Sequence, residues 1–192
     1  MSAAKPEGPV VAGGRLESAQ RYDRRTIGLH WLTAALLALV WGIAMVIDDF
    51  SRGPPRVAAR SVHIVLGATL VAVAVARILW RLRSGRRLPP SSAGIVGTLA
   101  TWTHLLLYAG LVAVLLLGLS NAWIRGDSLF GLVKIRAPQG ALHALKPTVE
   151  TAHRYAAHGL MVVAALHAVA ALYHHFVIRD GVLGRMGAKL RS

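Results

Sequence analysis

Most of the histidines of this chain sit in or at the edge of strongly apolar runs, and no cysteine accompanies them. Imidazole binds metals, carries protons near neutral pH and makes hydrogen bonds. The missing cysteines exclude disulfides, iron–sulfur clusters and covalent haem attachment through Cys-x-x-Cys-His. The run AHRYAAHGLMVVAALHAVAALYHHFV alone holds His153, His158, His167, His174 and His175. From His153 to His167 a helix rises about 21 Å and returns to within about 40° of its starting direction, so one face offers two ligands at two depths.

The elements that must position these groups are membrane spans. Hydrophobic residues make up 55% of the 192, above the about 45–50% of soluble domains. Charged residues are absent from Thr26 to Ile47, Ser61 to Ala76, Thr98 to Ile124 and Tyr155 to Ile178. Each window approaches or exceeds the roughly 20 apolar residues of a spanning helix. The expectation is an all-α membrane protein, a four-transmembrane-helix bundle, the second span running on through Arg77 to Trp80. Residues 1–25 lack the apolar core of a cleavable signal. Four spans place both termini on one side. That side, with the second connection, carries 14 of the 22 Lys and Arg residues, and the other side carries Arg52, Arg56, Arg60, Arg125, Lys134, Arg136, Lys146 and Arg154. The positive-inside rule then puts both termini in the cytoplasm. Most of the +14 net charge is accounted for as this topology signal and as contact with anionic membrane lipids, so no nucleic-acid partner is implied.

Depth now sorts the ligands. His63 and His153 open their spans from the outer end, whereas His30 and His167 lie near the inner one. Two facing imidazoles at one depth, with Gly67 one turn from His63 to make room, suit a planar iron porphyrin held from both sides. Such a pair leaves the iron no open position and points to outer-sphere electron transfer. A structural zinc site would need four ligands converging on one point. The plainer alternative is that each intramembrane histidine only hydrogen-bonds a neighbouring helix. His104 shares the depth of His30 and His167, and spacing alone leaves it open as a ligand. His158 is turned away from the ligand face and reads as a packing or lipid-side residue. His174 returns to that face about 10 Å nearer the inner interface, where it could bond a haem propionate or a quinone carbonyl and exchange a proton; His175 is rotated off it. Arg77 lies fourteen residues beyond His63 on roughly the same face, and either a haem propionate or a lipid phosphate would pair with it. Half of the eight outer basic residues are offset by Asp48, Asp49, Asp127 and Glu150, so attraction of an anionic donor is permitted without being diagnostic.

The segments RYDRRTIGLHWL, SVHIVLGATLVAVAVARILWRLR, WTHLLLY and ALHAVAALYHHFVIRDGVLGRM together resemble the bacterial cytochrome b561 family of di-haem inner-membrane proteins. The resemblance covers residues 21–187, leaving a cytoplasmic N-terminal tail at 1–20 and a C-terminal one at 188–192. It implies a bundle enclosing two haem b, with His30, His63, His153 and His167 as axial ligands of the haem iron, His104 as a family residue without being a ligand, and His174 at the quinone position. One member type is a superoxide:ubiquinone oxidoreductase, taking electrons from superoxide at the outer face and reducing quinone in the membrane. Related subunits relay electrons for a periplasmic dehydrogenase, hydrogenase or reductase. A non-redox metal-binding bundle is the remaining alternative.

Overall fold

The computed structural model describes residues 21–85, 88 and 94–187; the two tails expected at 1–20 and 188–192 lie outside the described residues. Four helices long and apolar enough to cross a membrane run through it: α1 (Arg24–Val46), α2 (Pro54–Arg83), α3 (Gly94–Arg125) and α4 (Lys146–Tyr173). Their boundaries follow local chemistry. Asp23 caps α1, its carboxylate accepting the Thr26 N–H at 2.9 Å, and the same carboxylate takes the Trp80 indole N–H at 3.0 Å, tying the start of α1 to the end of α2. Gly53, at φ +105°, makes the turn into α2, whose first turn is opened by proline, a residue that has no N–H to leave unpaired there. The helix α4 also opens on proline and begins at Lys146, earlier than the charge pattern indicates. Past Tyr173 it continues as a π-helical turn, His174–Ile178, which ends on Arg179 at φ +58°.

Sequence-adjacent helices pair closely, α1 with α2 and α3 with α4, while contact between the two pairs is sparse. Between α3 and α4 the approach is close enough that a methyl at Gly110 would lie 3.2 Å from Leu160 Cδ1. The buried core is a thin layer at mid-depth, formed by Leu70, Ala74, Leu111, Val114 and Leu160, with Leu36 and Leu37 of α1 packed on it. Leu160 is seven residues from both His153 and His167, so this layer separates the two histidine levels.

The connection between α3 and α4 is not plain loop. A short antiparallel hairpin pairs β1 (Ser128–Leu129) with β2 (Val133–Lys134), followed by a single helical turn at Ala141–Ala144. Its tip turns through Phe130 at φ +53° and Gly131 at φ +75°. Ser61 of α2, fully buried, fastens it: the Ser61 hydroxyl accepts the Phe130 N–H at 2.8 Å and reaches the Ser128 carbonyl at 3.1 Å. Below the hairpin, Asp127 bridges Arg60 at 3.6 Å and Arg125 at 3.5 Å, and Arg125 reaches Glu150 at 3.0 Å. The end of the bundle bearing this hairpin is called the hairpin face, the opposite end the terminal face. At the terminal face the last described residues are strapped to α1. Trp31 donates its indole N–H to the Met186 carbonyl at 2.8 Å, and Arg21 donates to the Gly184 carbonyl at 3.1 Å.

Candidate functional site

At the hairpin face, His63 of α2 and His153 of α4 meet with ring centres 6.3 Å apart and planes at 81°. Each is oriented by a backbone carbonyl of a third or fourth helix. His63 Nδ1 lies 3.0 Å from the Val40 carbonyl of α1, and His153 Nδ1 lies 3.1 Å from the Val114 carbonyl of α3. A carbonyl only accepts, so both Nδ1 atoms carry the proton. The lone pair of each neutral ring is therefore on Nε2, the tautomer a metal-ligating histidine requires. Two nitrogens about 2 Å from one metal ion put the ring centres about 6 Å apart, and the observed separation fits. Room is provided on both sides. His153 lies so close to α3 that a Cβ at Gly118 would fall 2.9 Å from its Cε1, while a Cβ at Gly67, one turn beyond His63, would meet nothing within 4 Å.

The terminal face is arranged differently. His167 meets His104, ring centres 5.4 Å apart, and His104 Nδ1 donates to the Ala100 carbonyl at 2.7 Å. His30 lies within electrostatic reach of both, but its hydrogen-bond partner is Arg77, whose Nη2 donates to His30 Nδ1 at 3.0 Å. Arg77 also sits over the Tyr108 ring at 5.2 Å. An imidazole that accepts at Nδ1 holds its proton on Nε2, so iron at His30 Nε2 requires Arg77 to leave Nδ1. The described geometry thus brings His63 and His153 together with both Nδ1 atoms donating to backbone carbonyls, and places His30, His167 and His104 in one neighbourhood without closing the His30–His167 pair. Among the described residues no three or more His, Cys, Asp or Glu converge on a metal site; a structural zinc ion would need four ligands.

The other histidines divide. His158 is exposed, donates to the Arg154 carbonyl at 2.7 Å and lies edge-on to Trp41. His174 pairs with Asp180: its Nδ1 is 2.5 Å from Asp180 Oδ2, and Asp180 Oδ1 accepts the Val182 N–H at 3.1 Å. Slight desolvation works to raise the Asp180 carboxyl, but the hydrogen bonds from His174 and Val182 and the His174 charge outweigh it and hold the group below the usual carboxylate range. Asp180 reaches His174 because the π-helical turn and the left-handed Arg179 fold the chain back. A π-turn of this kind often marks a functional site.

Sequence spacing did not find Gly118, the Val40 and Val114 carbonyls or Asp180. The carbonyls belong to apolar residues without a signature, and Asp180 depends on a turn that periodicity does not encode. Gly118, a lone glycine in a leucine run, was the one legible hint.

The comparisons with known proteins agree with this architecture. Residues 21–189 match the family model described as prokaryotic cytochrome b561. The chain is 32% identical over 177 residues to a probable superoxide oxidase CybB of Yersinia pestis, covering 90% of this chain and 99% of that protein. It is 30% identical over 178 residues to cytochrome b561 homolog 2 of Escherichia coli (strain K12), covering 90% and 94%, and 26% identical over 172 residues to homolog 1, covering 86% and 96%. With four spans and histidines gathered toward the two ends of the bundle, the chain belongs to the prokaryotic cytochrome b561 family, membrane b-type cytochromes of electron transfer.

Proposed function

We propose that this protein is a di-haem b cytochrome of the bacterial inner membrane that passes electrons from a donor at the hairpin face to the quinone pool, with superoxide as the donor that the name of the Yersinia pestis relative supports. The observation that carries the reading is the His63–His153 pair, facing at 6.3 Å with both Nδ1–H groups tied to backbone carbonyls. In this reading His63 and His153 hold one haem iron, His30 and His167 the other, and the bound haems supply one-electron carriers at the two levels. The chain's residues do the rest. Val40 and Val114 fix the ligand tautomers. Arg77 releases His30 and offers its guanidinium to a propionate. His104 supports the His167 ring without being a ligand. Leu70, Leu111, Val114 and Leu160 keep water out of the layer between the two levels. His174, held at Nδ1 by Asp180, presents Nε2 toward a quinone oxygen and can exchange a proton with it. The termini face the cytoplasm, which puts the hairpin face and its Lys134, Arg136 and Arg154 on the outer side.

The test is a reduced-minus-oxidised absorbance spectrum of the purified protein with haem counted per chain, followed by superoxide addition and then quinone. Two low-spin haems reduced by superoxide and reoxidised by quinone are expected. No haem after expression with adequate haem supply would return the histidines to packing; haems that superoxide alone cannot reduce would assign the protein to a relay for a soluble partner.

A further inference from the structure

Outside the four spans, the hairpin tip presents large apolar side chains to its surroundings, more exposed than Phe50, Leu142 or Leu145 of the other connecting segments. Phe130 is 51% exposed, Leu132 87% and Val133 60%. Phe130 is held in the left-handed region at φ +53°, a conformation that costs a non-glycine residue about 1–2 kcal/mol. Such a residue persists only where its surroundings fix it, and here Ser61 does so through the Phe130 N–H.

The depth of the tip follows from Ser61. The helix α2 has 30 residues, about 45 Å at 1.5 Å per residue, against a hydrocarbon core about 30 Å thick. Its first two turns, with Arg56 and Arg60, therefore stand in the head-group region, and Ser61 is the first residue of the charge-free stretch that follows. The backbone of Phe130, bonded to Ser61, lies at the boundary between head groups and acyl chains. The direction follows from the same helix. Ser61 and His63 are two positions apart, about 160° round the axis, and His63 points into the bundle toward His153 and the Val40 carbonyl. The hairpin is consequently on the perimeter of the bundle, beside a shallow apolar groove of Pro54, Val57, Ala58 and Phe130. Lys134, exposed, and Arg136 flank the tip, the cations that pair with lipid phosphate.

We infer that the hairpin tip, Phe130 to Val133, is a membrane-interface anchor that seats its apolar side chains among the upper acyl segments of the leaflet at the hairpin face, with lipid as its partner. The tip combines exposed apolar side chains with flanking cations at interfacial depth, the pattern of segments that lie in a bilayer surface. Anchoring there would hold Asp127, Arg125 and the start of α4 at fixed depth above the His63–His153 pair. The inference uses neither the haems nor the quinone.

The absence of native cysteine allows a direct test on the full-length protein. Leu132→Cys, labelled with an environment-sensitive fluorophore, is reconstituted in phosphatidylcholine–phosphatidylglycerol vesicles and quenched in turn by lipid spin-labelled near the head group, lipid spin-labelled near the chain terminus, and aqueous iodide. Leu116→Cys, exposed in the middle of α3, is the deep reference. Leu132→Cys should be quenched several-fold more by the head-proximal label than by either other quencher, and Leu116→Cys most by the terminal label. Iodide quenching as strong as for free dye, without lipid quenching, would put the tip in water, free for a soluble protein, and overturn the inference. Quenching matching Leu116→Cys would overturn the interfacial depth.

Discussion

Individual side chains decide whether a porphyrin can sit between α2 and α4, and two glycines separate the contributions. A methyl at Gly118 would come 2.9 Å from His153 Cε1 and must push the imidazole off line. Gly118→Ala should therefore cost haem at the hairpin-face level, or change the signal of one of two low-spin centres in electron paramagnetic resonance, while helix content is kept. A methyl at Gly67 meets no protein atom within 4 Å and, by helix propensity, should stabilise the helix by up to about 1 kcal/mol. Haem loss in Gly67→Ala is thus expected only if the porphyrin lies along that flank; undiminished haem would remove it from there. At the other end, Asp180 titrates below its ordinary value in the folded protein, so the unfolded chain takes up its proton first as pH falls. The pair with His174 then contributes stability that is complete above the unfolded carboxylate value of about 3.9 and is lost as pH drops through the lower folded value. Hydrogen exchange at the Val182 amide, which Asp180 also holds, should lose protection in that acid window, and Asp180→Asn should abolish the step.

At the level of elements, Ser61 illustrates how one hydroxyl can set the place of a whole connection. Ser61→Ala strips the Phe130 N–H of its buried acceptor, and the expected cost is about 1–3 kcal/mol. A lower thermal midpoint together with faster exchange at Phe130 is the expected outcome; an unchanged Phe130 amide would mean the salt bridges of Asp127 alone hold the hairpin. The four spans were legible in the sequence because lipid imposes a coarse rule, long charge-free runs, that needs no tertiary information. The hairpin was not, since two-residue strands carry no periodicity and the fastening serine sits in what reads as ordinary apolar helix. The candidate site was legible only where the spacing along a single helix decides it. Fourteen-residue spacing on α4 put His153 and His167 on one face, but the hydrogen bond of His30 with Arg77 and the ring contact of His167 with His104 come from side-chain reach across helices, which no single-helix argument contains.

The whole molecule is two helical hairpins with a lightly filled seam. The apolar contact between the hairpins is one mid-depth layer, supplemented at the hairpin face by Ser61 and the Arg60–Asp127 pair, so a bound haem would join surfaces that the chain alone joins only in places. Protein made under haem limitation should unfold at a lower temperature than haem-replete protein, because a ligand that binds only the folded state stabilises it by mass action; equal midpoints would mean the seam is closed without haem. The seam also bears on biosynthesis. Contacts within each hairpin are between neighbours in the chain, so α1 and α2 can insert and pair while α3 and α4 are still being made, and the second pair can form without reference to the first. The slow, long-range step is left to the end, when both halves are already in the bilayer. A newly made chain would then wait in the membrane as two loosely joined arms, and the arrival of haem, not the end of translation, would mark its completion.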